Sequence, residues 1–436
     1  MTRRDCEVLV IGAGPAGIAA ACAGGESGKR VILADENPAP GGQIWRAESQ
    51  PYSTRVNRKG PAGAWFDRLA RSGAATVSGA SAFDADAKSR VVRFERERDT
   101  LEVRYESLVL ATGARERFLP FPGWTLPGIF GAGGLQALVK GGLPVEGRRI
   151  VVAGTGPLLL AAAGMLGQRG AQVLMVLEQA RWTSLARFGL TVSAFPGKLI
   201  EAVTLFIHSG GVPFRPGWWI CEAGGAGQLE WVEITNGQRR TRVACDMLAC
   251  GYGLVPNTEF AQLLGCGMTA PRASRAARVV EVDQWQRTSL EGIYACGELS
   301  GIGGAELSLE EGCVAGYATA GRRSIAQRHF PARERYRRFA REMEAAFALR
   351  EELKTLAKPD TITCRCEDVA AGQLLEFGSW REAKLASRCG MGPCQGRVCG
   401  PAVEFLFGWD AASVRPPLAT VRLESLADPQ VGSVEV

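Results

Sequence analysis

Five cysteines lie close together near the C-terminal end of the sequence, out of thirteen in the 436-residue chain. Cys364 and Cys366 are separated by one residue, and Cys389, Cys394 and Cys399 follow in a glycine-rich segment. Thiolates are soft ligands for iron–sulfur clusters and for zinc, so this density predicts metal chemistry rather than disulfides. The C-x-C spacing favours a 2Fe-2S cluster over structural zinc, whose ligand pairs typically lie about two to four residues apart. Such a cluster takes four thiolates, so one of these cysteines is in excess.

A second chemical motif lies near the N-terminus, in the glycine-rich segment GAGPAG. It follows the apolar run EVLVI, which predicts a buried strand, and precedes an alanine-rich segment that predicts a helix. Gly12 permits a tight turn, Gly14 lets the backbone approach a pyrophosphate, and Gly17 lets the helix pack closely on the strand. Pro15 and Ala16 lie in the first helical turn, whose free N–H groups face the phosphates.

An acidic residue at the end of the next apolar run completes this pattern. The run RVILADE ends in Asp35 and Glu36, and an acid at this place binds the ribose hydroxyls of a dinucleotide. Asp35 fits the role best, with Glu36 as the alternative. The order of strand, glycine turn, helix, strand and acid is far more specific than a lone glycine motif, so it predicts a dinucleotide-binding site.

The same pattern is repeated, with a defect, at residues 149–178. The second turn contains Gly154 and Gly156, but Leu159 replaces the third glycine and should push the helix away from the strand. Glu178 ends the second strand of the repeat and is the acid available for a ribose. The repeat predicts an NAD-like domain kept for a structural role or for another nucleotide, and it disfavours turnover of NAD(P)H.

The composition of the chain argues against nucleic-acid binding and against a membrane span. Hydrophobic residues make up 46% of the chain and charged residues 22%, with a net charge of +6, which indicates a globular protein without a nucleic-acid-binding surface. The longest apolar run, at 150–167, contains a glycine turn and predicts a strand and a helix rather than a membrane span. We expect a cytoplasmic location, because no secretory signal is recognisable.

Groups that could perform acid–base or nucleophilic catalysis are scarce. The chain has two histidines, His208 and His329, and neither lies in a pattern typical of a catalytic triad or a metal site. Cys245 and Cys250 have the spacing of a redox pair, but they lie inside an apolar, strand-like run and are predicted to be core residues. The sequence therefore predicts no catalytic residue on this chain.

Three further segments resemble the thioredoxin-reductase-like family and favour FAD over NAD in the first site. They are the PGGQ loop after the second strand, the segment SLVLATGARER and the segment GIYACGELSG. In that family the matching loops approach the flavin or its ribityl phosphate. The residues that the resemblance places at FAD are Gly42, Gln43, Thr112, Gly113, Gly297 and Glu298. Glu298 stands where the family usually has aspartate, so its side-chain contact departs from the family's pattern.

These segments predict an α/β fold with two Rossmann-like, thioredoxin-reductase-like dinucleotide-binding domains, one inserted in the other. The FAD-binding domain is expected at residues 1–120 and 246–325, and the inserted NAD-like domain at 121–245. The C-terminal region, 326–436, is expected to hold a small ferredoxin-like 2Fe-2S domain at about 360–410.

The C-terminal cysteine segment resembles the 2Fe-2S domain of bacterioferritin-associated ferredoxins and the C-terminal domain of anaerobic glycerol-3-phosphate dehydrogenase. In those proteins a C-x-C pair is followed by a loop of the form GxGPCQGxxC, which the segment GMGPCQGRVC matches. The resemblance assigns the cluster ligands as Cys364, Cys366, Cys394 and Cys399, and it leaves Cys389 as a nearby spare.

Across nearly its whole length the chain resembles the FAD-containing α (A-type) subunits of heteromeric amine dehydrogenases. This family includes octopine and nopaline oxidase, D-hydroxyproline dehydrogenase, dye-linked L-proline dehydrogenase and hydrogen cyanide synthase. The α subunit of heterotetrameric sarcosine oxidase is a longer relative. The matching segments include GAGPAGIAAA, DENPAPGGQIWR, ATGARERFLPFPGW, GTGPLLLAAA and RCGMGPCQGRVCG.

That resemblance implies a role in electron transfer. An amine, opine or imino acid is oxidised on a separate, D-amino-acid-oxidase-like β subunit with its own FAD, in an assembly that can include a small γ subunit. Electrons then reach this chain, where an FMN at a subunit interface is also implied. They leave through its FAD and 2Fe-2S cluster to an external acceptor.

Other functions fit parts of the sequence. A stand-alone NAD(P)H-dependent flavin and iron–sulfur reductase would use the second dinucleotide fold, and Leu159 argues against it. A non-enzymatic iron–sulfur scaffold would use only the cysteines, and the intact FAD motifs argue against it. A glycerol-3-phosphate dehydrogenase would carry its iron–sulfur domain on a different flavin fold.

Overall fold

The computed structural model describes residues 2–45, 61–97, 99–208, 210–270, 278–411 and 414–427. The strands are β1 (Thr2–Ile11), β2 (Val31–Asp35), β3 (Ala75–Ser78), β4 (Ser81–Asp86), β5 (Val91–Glu95), β6 (Thr100–Leu110), β7 (Ala114–Glu116), β8 (Ile129–Phe130), β9 (Arg149–Thr155), β10 (Gln172–Glu178), β11 (Phe214–Pro216), β12 (Trp219–Gly224), β13 (Trp231–Thr235), β14 (Arg240–Ala244), β15 (Met247–Tyr252), β16 (Leu254–Pro256), β17 (Met268–Thr269), β18 (Val279–Val280), β19 (Ile293–Ala295), β20 (Ile362–Cys364) and β21 (Val369–Ala370). The α-helices are α1 (Pro15–Glu26), α2 (Pro61–Arg71), α3 (Ala132–Lys140), α4 (Leu158–Gln168), α5 (Trp182–Ser193), α6 (Pro196–His208), α7 (Glu259–Leu264), α8 (Gly304–Thr319), α9 (Arg323–Gln327), α10 (Phe330–Ala346), α11 (Ala371–Leu374), α12 (Trp380–Ser387), α13 (Cys399–Phe407) and α14 (Leu423–Leu426). Short 3₁₀ turns lie at Gly297–Ser300 and Glu351–Thr355.

The first sheet has seven strands and forms the centre of the first domain. β3, β2, β1, β6 and β19 are joined by parallel pairing, and every residue of β2 is buried, as expected for a central parallel strand. On one side, β6 pairs with two strands. Its residues 100–104 pair antiparallel with β5, and its residues 108–110 pair parallel with β19. The carboxyl ends of β1, β2, β6 and β19 therefore meet at one edge, where open α/β folds bind their ligands.

Close packing of α1 against α8 fixes the position of the first glycine turn. A Cβ atom at Gly312 would lie 2.2 Å from the carbonyl oxygen of Ala16, and one at Gly316 would lie 2.3 Å from that of Ala20. These separations require glycine on α8, and α1 is buried along most of its length. The N-terminus of α1 is therefore held at the ligand-binding edge of the sheet.

The second sheet has five strands in the order β11, β10, β9, β15 and β8, all paired in parallel. β15 pairs with β9 along its length, so the inserted domain continues past residue 245, where we expected it to end. The chain crosses between the domains on the antiparallel pair of β7 and β16, about eight residues later than expected. Cys245 and Cys250 are completely buried in this second domain.

The C-terminal region contacts both dinucleotide folds. The indole N–H of Trp124 in the second domain donates to the carbonyl oxygen of Ile362 at 2.6 Å. The backbone N–H of Leu418 donates to the carbonyl oxygen of Phe83 in the first domain at 2.7 Å. Between these contacts, β20, β21 and α11 to α13 surround a small separate core that contains Cys364, Cys389 and Cys399, among other buried residues.

The predicted fold class is confirmed. Two Rossmann-like folds, one inserted in the other, are followed by a small cysteine-bearing domain. Among the described residues, no helix combines the length and the apolar character needed to cross a membrane.

Candidate flavin and iron–sulfur sites

The first glycine turn has the geometry that the sequence predicts for pyrophosphate binding. Gly12 has φ +100°, and a Cβ there would lie 2.3 Å from the carbonyl oxygen of Ala111. A Cβ at Gly17 would lie 1.7 Å from the carbonyl oxygen of Gly12, so the close approach of helix and strand needs glycine. A Cβ at Gly14 would meet nothing within 4 Å, so this backbone borders open space at the N-terminus of α1. The cradle therefore fits the phosphates of a dinucleotide.

Of the two candidate ribose acids, Asp35 is the one at the site. Its Oδ2 accepts a hydrogen bond from the backbone N–H of Ala13 at 2.5 Å. Its Oδ1 accepts from the backbone and side-chain amides of Asn37 at 2.7 and 2.8 Å. Asp35 is buried, whereas Glu36 is exposed. Asp35 therefore ties the end of β2 to the glycine turn, and Glu36 does not.

The PGGQ loop closes over the same turn. The backbone N–H of Gly41 donates to the carbonyl oxygen of Ala13 at 2.8 Å. Gly42 has φ +58°, and a Cβ there would lie 2.8 Å from the Cα of Gly14. Gln43 is exposed beside it. Arg46, the last residue of the PGGQIWR motif, lies outside the described residues.

Thr112 and Gly113 follow β6 and are held by a residue that the sequence did not single out. The side-chain amide of Asn257 donates to the carbonyl oxygen of Thr112 at 2.9 Å, and the Thr112 hydroxyl donates to the carbonyl oxygen of Asn257 at 2.7 Å. The backbone N–H of Asn257 also donates to the carbonyl oxygen of Gly113 at 2.9 Å. We call residues 112 and 113 the flavin loop. These bonds join the flavin loop to the end of β16, the strand on which the chain returns to the first domain.

Gly297 and Glu298 follow β19 at the same edge of the sheet. A Cβ at Gly297 would lie 2.7 Å from the Cβ of Ala16, so this residue touches the start of α1. The carboxylate of Glu298 accepts from the backbone N–H groups of Gly303 and Gly304 at 3.2 and 2.9 Å. Burial raises the pKa of Glu298 to about 7. Its side chain is therefore committed to the following loop.

Glu311 on α8 is a further acid at this edge, and no sequence motif pointed to it. Its Oε2 accepts from the backbone N–H of Gly297 at 3.0 Å and from the hydroxyl of Ser300 at 2.8 Å. Its Oε1 accepts from Arg337 on α10 at 2.7 Å. Glu311 thus supports the loop in which Gly297 and Glu298 lie.

In the second dinucleotide fold, Glu178 is the acid predicted for a ribose, and it hydrogen-bonds to its own glycine turn as Asp35 does in the first fold. Oε1 of Glu178 accepts from the Thr155 hydroxyl and from the backbone N–H of Ala180, both at 2.8 Å. Oε2 accepts from the backbone N–H of Gly156 at 2.7 Å. Glu178 is almost completely buried, and this burial raises its pKa to about 7.

A segment of the C-terminal region lies across this second turn. The carbonyl oxygen of Phe347 is 3.3 Å from the Thr155 hydroxyl. Gln179, which is fully buried, donates to the carbonyl oxygen of Ala348 at 3.1 Å and accepts from the backbone N–H of Arg350 at 3.2 Å. Residues 347–350 therefore take up hydrogen-bonding groups at the carboxyl ends of β9 and β10, where a nucleotide would bind.

The five C-terminal cysteines form two groups. The sulfur atoms of Cys364, Cys389 and Cys399 lie within 4.8 Å of one another, and all three residues are buried. The sulfurs of Cys366 and Cys394 are 3.8 Å apart; Cys366 is exposed and Cys394 is half-buried. The four predicted ligands thus comprise two cysteines from each group, while the sulfur of Cys389 lies within 4.8 Å of those of Cys364 and Cys399.

Glycine and tryptophan residues shape this cysteine site. A Cβ at Gly392 would lie 2.2 Å from the Cβ of Cys366, so the loop and the C-x-C pair can meet only at glycine. The backbone N–H of Gly390 points at the sulfur of Cys364 at 3.5 Å. The indole N–H of Trp380 is buried in the same small core and has no acceptor among the described residues. Sulfide or thiolate sulfur of a cluster would offer an acceptor there.

Hydrogen bonding makes the buried sulfurs unequal. Contacts with the thiols of Cys389 and Cys399 lower the pKa of Cys364. The same contacts raise the pKa of Cys389 and of Cys399. The contacts favour a thiolate at Cys364, and bound metal ions would compensate the charge of additional thiolates. The donor set fits a thiolate-ligated metal centre.

Comparison with known proteins assigns the chain to a family. The pyridine nucleotide-disulphide oxidoreductase family model matches residues 6–319. The chain belongs to this family. Family membership supports FAD binding by the first fold, and the chain is an oxidoreductase.

Curated proteins similar to the chain are named as subunits of larger enzymes. The HcnB subunit of hydrogen cyanide synthase from Pseudomonas aeruginosa is 33% identical over an alignment of 428 positions that covers 90% of each chain. An opine oxidase subunit from Agrobacterium tumefaciens is 31% identical over an alignment of 465 positions that covers 97% of this chain and 90% of that protein. The alpha subunit of sarcosine oxidase from Rhizobium meliloti is 28% identical over 331 residues, 71% of this chain and 30% of that protein. The resemblance inferred from the sequence motifs is confirmed.

Solved structures support the fold. L-proline dehydrogenase from P. horikoshii superposes with a TM-score of 0.72 at 19% identity, covering 98% of this chain and 80% of that one. Thioredoxin reductase from T. acidophilum superposes with a TM-score of 0.56 at 20% identity, covering 73% of this chain and 98% of that one. The second match ends short of the full chain, as expected if the cysteine domain is an addition to a two-domain oxidoreductase fold.

Proposed function

We propose that this chain is the electron-transfer subunit of a heteromeric amine, opine or imino-acid dehydrogenase. A partner FAD subunit of the D-amino-acid-oxidase type oxidises the CH–NH substrate. This chain receives the reducing equivalents and delivers them to an external acceptor by way of FAD and a 2Fe-2S cluster. An FMN at the interface with the partner and a small γ subunit belong to the same proposal.

One observation carries the proposal. A single chain brings together a dinucleotide cradle at Gly12, Gly14 and Asp35 and a C-terminal domain with three cysteine sulfurs within 4.8 Å of one another and two more 3.8 Å apart. FAD exchanges one or two electrons and a 2Fe-2S cluster exchanges single electrons, so the pair suits the splitting of a two-electron oxidation. The names of the hydrogen cyanide synthase and opine oxidase relatives support a role as one subunit of a multi-chain enzyme.

The chain's own residues would hold these groups and tune them. Gly12, Gly14 and the N-terminus of α1 would bind the FAD pyrophosphate, and Asp35 would bind the adenosine ribose. Cys364, Cys366, Cys394 and Cys399 would hold the cluster. Cys399 is the first residue of α13, and the positive end of a helix stabilises negative charge on a thiolate.

The alternative of a stand-alone NAD(P)H reductase is disfavoured by the second dinucleotide fold. There Leu159 is buried at the place of the third glycine. Residues 347–350 cover the same turn. We propose that this fold binds the C-terminal region of the chain and does not bind NAD(P)H.

Anaerobic mixing experiments test the proposed function. The purified chain, loaded with FAD and iron, is incubated with candidate amines, opines and imino acids or with NADH. In a further arm, the same substrates are added to the chain after co-expression with an FAD subunit of the D-amino-acid-oxidase type. We expect the flavin absorbance to bleach only when both the partner and a substrate are present. Substrate-dependent bleaching of the isolated chain would place the oxidation on this chain, and rapid bleaching by NADH would favour the reductase.

A further inference from the structure

Arg115 joins the predicted flavin loop to the cysteine loop. It lies on β7, two residues after Gly113, and its guanidinium makes three directed contacts. Nε donates to the carbonyl oxygen of Arg397 at 2.9 Å, and Nη1 donates to the side-chain oxygen of Asn257 at 2.8 Å. Nη2 forms an ion pair with Glu259 at 2.8 Å.

Each end of this network lies at one of the two candidate redox sites. Asn257 is the residue that holds Thr112 and Gly113 by three hydrogen bonds. Arg397 lies between Cys394 and Cys399, and its backbone N–H donates to the carbonyl oxygen of Cys394 at 3.0 Å. A continuous chain of hydrogen bonds therefore runs from the flavin loop through Asn257 and Arg115 to the loop that carries two of the cysteines.

Burial and chemistry make this arrangement specific to arginine. The side chain of Arg115 is 23% exposed and that of Glu259 is 19% exposed, so the ion pair is shielded at the seam between the domains. Arginine spreads five donors over three nitrogens in one plane, and each nitrogen of Arg115 contacts a different acceptor, whereas the three donors of lysine share one nitrogen. The Arg397 guanidinium itself donates to the carbonyl oxygen of Leu418 at 2.7 Å, which holds the same loop from its other side.

We propose that Arg115 is a positioning residue that fixes the cysteine loop 391–399 against the flavin loop and so sets the electronic contact between the two redox sites. The inference rests on the proposed function, because it concerns transfer between FAD and a cluster. The rate of electron transfer falls steeply with separation, so a loosened loop slows it. Hydrogen bonding around a cluster also sets its potential.

Arg115→Lys keeps the charge and the pairing with Glu259 but loses the planar set of donors. Arg93 offers a matched control, because its side chain is 24% exposed and pairs with Asp84 and Glu102 within the first sheet. Two readouts are compared between Arg115→Lys and Arg93→Lys in the full chain. The first is amide hydrogen exchange, measured with and without bound iron. The second is the rate of cluster reduction after flash reduction of the flavin, together with the cluster's EPR spectrum.

We expect exchange at residues 391–399 to accelerate about tenfold in Arg115→Lys, as for loss of one charge-assisted hydrogen bond, with other segments unchanged. We expect flavin-to-cluster transfer to slow about tenfold, with an altered EPR spectrum. Unchanged exchange in this loop, or unchanged transfer and EPR, would overturn the inference. Acceleration throughout the chain, or failure to fold, would also overturn it by making Arg115 a general stabiliser. A wild-type chain without a cluster would count against the proposed function, while the exchange experiment would still decide whether Arg115 holds the loop.

Discussion

In both the flavin site and the cysteine site, residues of similar chemistry that are close in sequence have different roles. Their surroundings explain the difference. Asp35 and Glu36 are adjacent, but successive side chains of a strand point to opposite sides. Asp35 therefore faces the glycine turn and bonds to Ala13, while Glu36 is exposed. The cysteines also differ by surroundings, since Cys364, Cys389 and Cys399 are buried together and Cys366 lies at the surface.

Asp35→Asn should weaken FAD binding by roughly ten- to a hundredfold, the effect of losing a hydrogen bond to a charged group. Both carboxylate oxygens of Asp35 accept from N–H groups, so an amide nitrogen would place a donor against a donor. Equilibrium dialysis of the apoprotein with FAD measures the change. Glu36→Gln is the control and should bind FAD as the wild type does. A larger loss in Glu36→Gln than in Asp35→Asn would reverse the assignment.

Single cysteine-to-serine variants distinguish the ligands from the spare. We expect variants at Cys364, Cys366, Cys394 and Cys399 to lose the cluster, measured as iron content and EPR signal of the reduced protein. Cys389→Ser should keep both, because the predicted ligand set does not include it, although its sulfur lies within 4.8 Å of those of Cys364 and Cys399. If Cys389→Ser lost its iron and Cys366→Ser kept it, the metal site would be assigned to the buried cysteines 364, 389 and 399 instead.

At the scale of elements, the two dinucleotide folds share one pattern and differ in what covers the turn. In both, an acid at the end of the second strand bonds to a backbone N–H of the glycine turn. The hydrogen-bond partners of the Asp35 carboxylate come from residues 13 and 37, close to the motif itself. The turn near Glu178 is covered by residues 347–350 from a distant part of the chain.

Glu178 should make the second fold sensitive to pH. Its pKa is raised from 4.5 to about 7 in the folded chain, so the folded state favours the protonated form. The stability that this proton contributes is complete below pH 4.5 and is lost as the pH rises through about 7. Relative to wild type, Glu178→Gln should therefore gain roughly 3 kcal/mol in unfolding free energy between about pH 4.5 and 8. Urea unfolding across this range measures the difference. A difference that stays constant with pH would contradict the account.

The sequence predicted the elements whose function follows from local geometry. Gly12, Gly17 and Gly42 lie where a Cβ would clash, and each belongs to a short motif whose spacing is visible in the sequence. Contacts between distant segments were not predictable in this way. Asn257 and Glu311 support the flavin loops from far along the chain, and no spacing connects them to Thr112 or Gly297.

The inserted domain ends later than residue 245, the end that the sequence predicted, for a related reason. The apolar run that contains Cys250 predicts a buried strand equally well in either sheet. Its pairing with β9 places β15 in the second sheet, and only the antiparallel pair of β7 and β16 marks the crossing among the described residues. The position of Cys389 beside Cys364 likewise depends on how the loop folds back, which the motif alone does not determine.

At the scale of the whole molecule, the C-terminal region fastens a cysteine domain to both dinucleotide folds. It bonds to the second fold through Gln179 and Trp124, and to the first through Arg115 and Phe83. These contacts hold the cysteine loop beside the crossing strands, near the edge of the first sheet where FAD is expected. The architecture suits a chain in which two redox groups keep a fixed separation.

In the proposed function, reducing equivalents from a partner flavoprotein reach both redox groups of this chain. The most direct measurement is anaerobic reduction of the reconstituted complex by its substrate, followed by optical absorbance and by EPR on frozen samples. We predict bleaching of the flavin bands and the EPR signal of a reduced 2Fe-2S cluster, with neither change when the partner is omitted. An EPR-silent sample whose flavin is fully reduced, or a cluster signal obtained from substrate and this chain alone, would contradict the account.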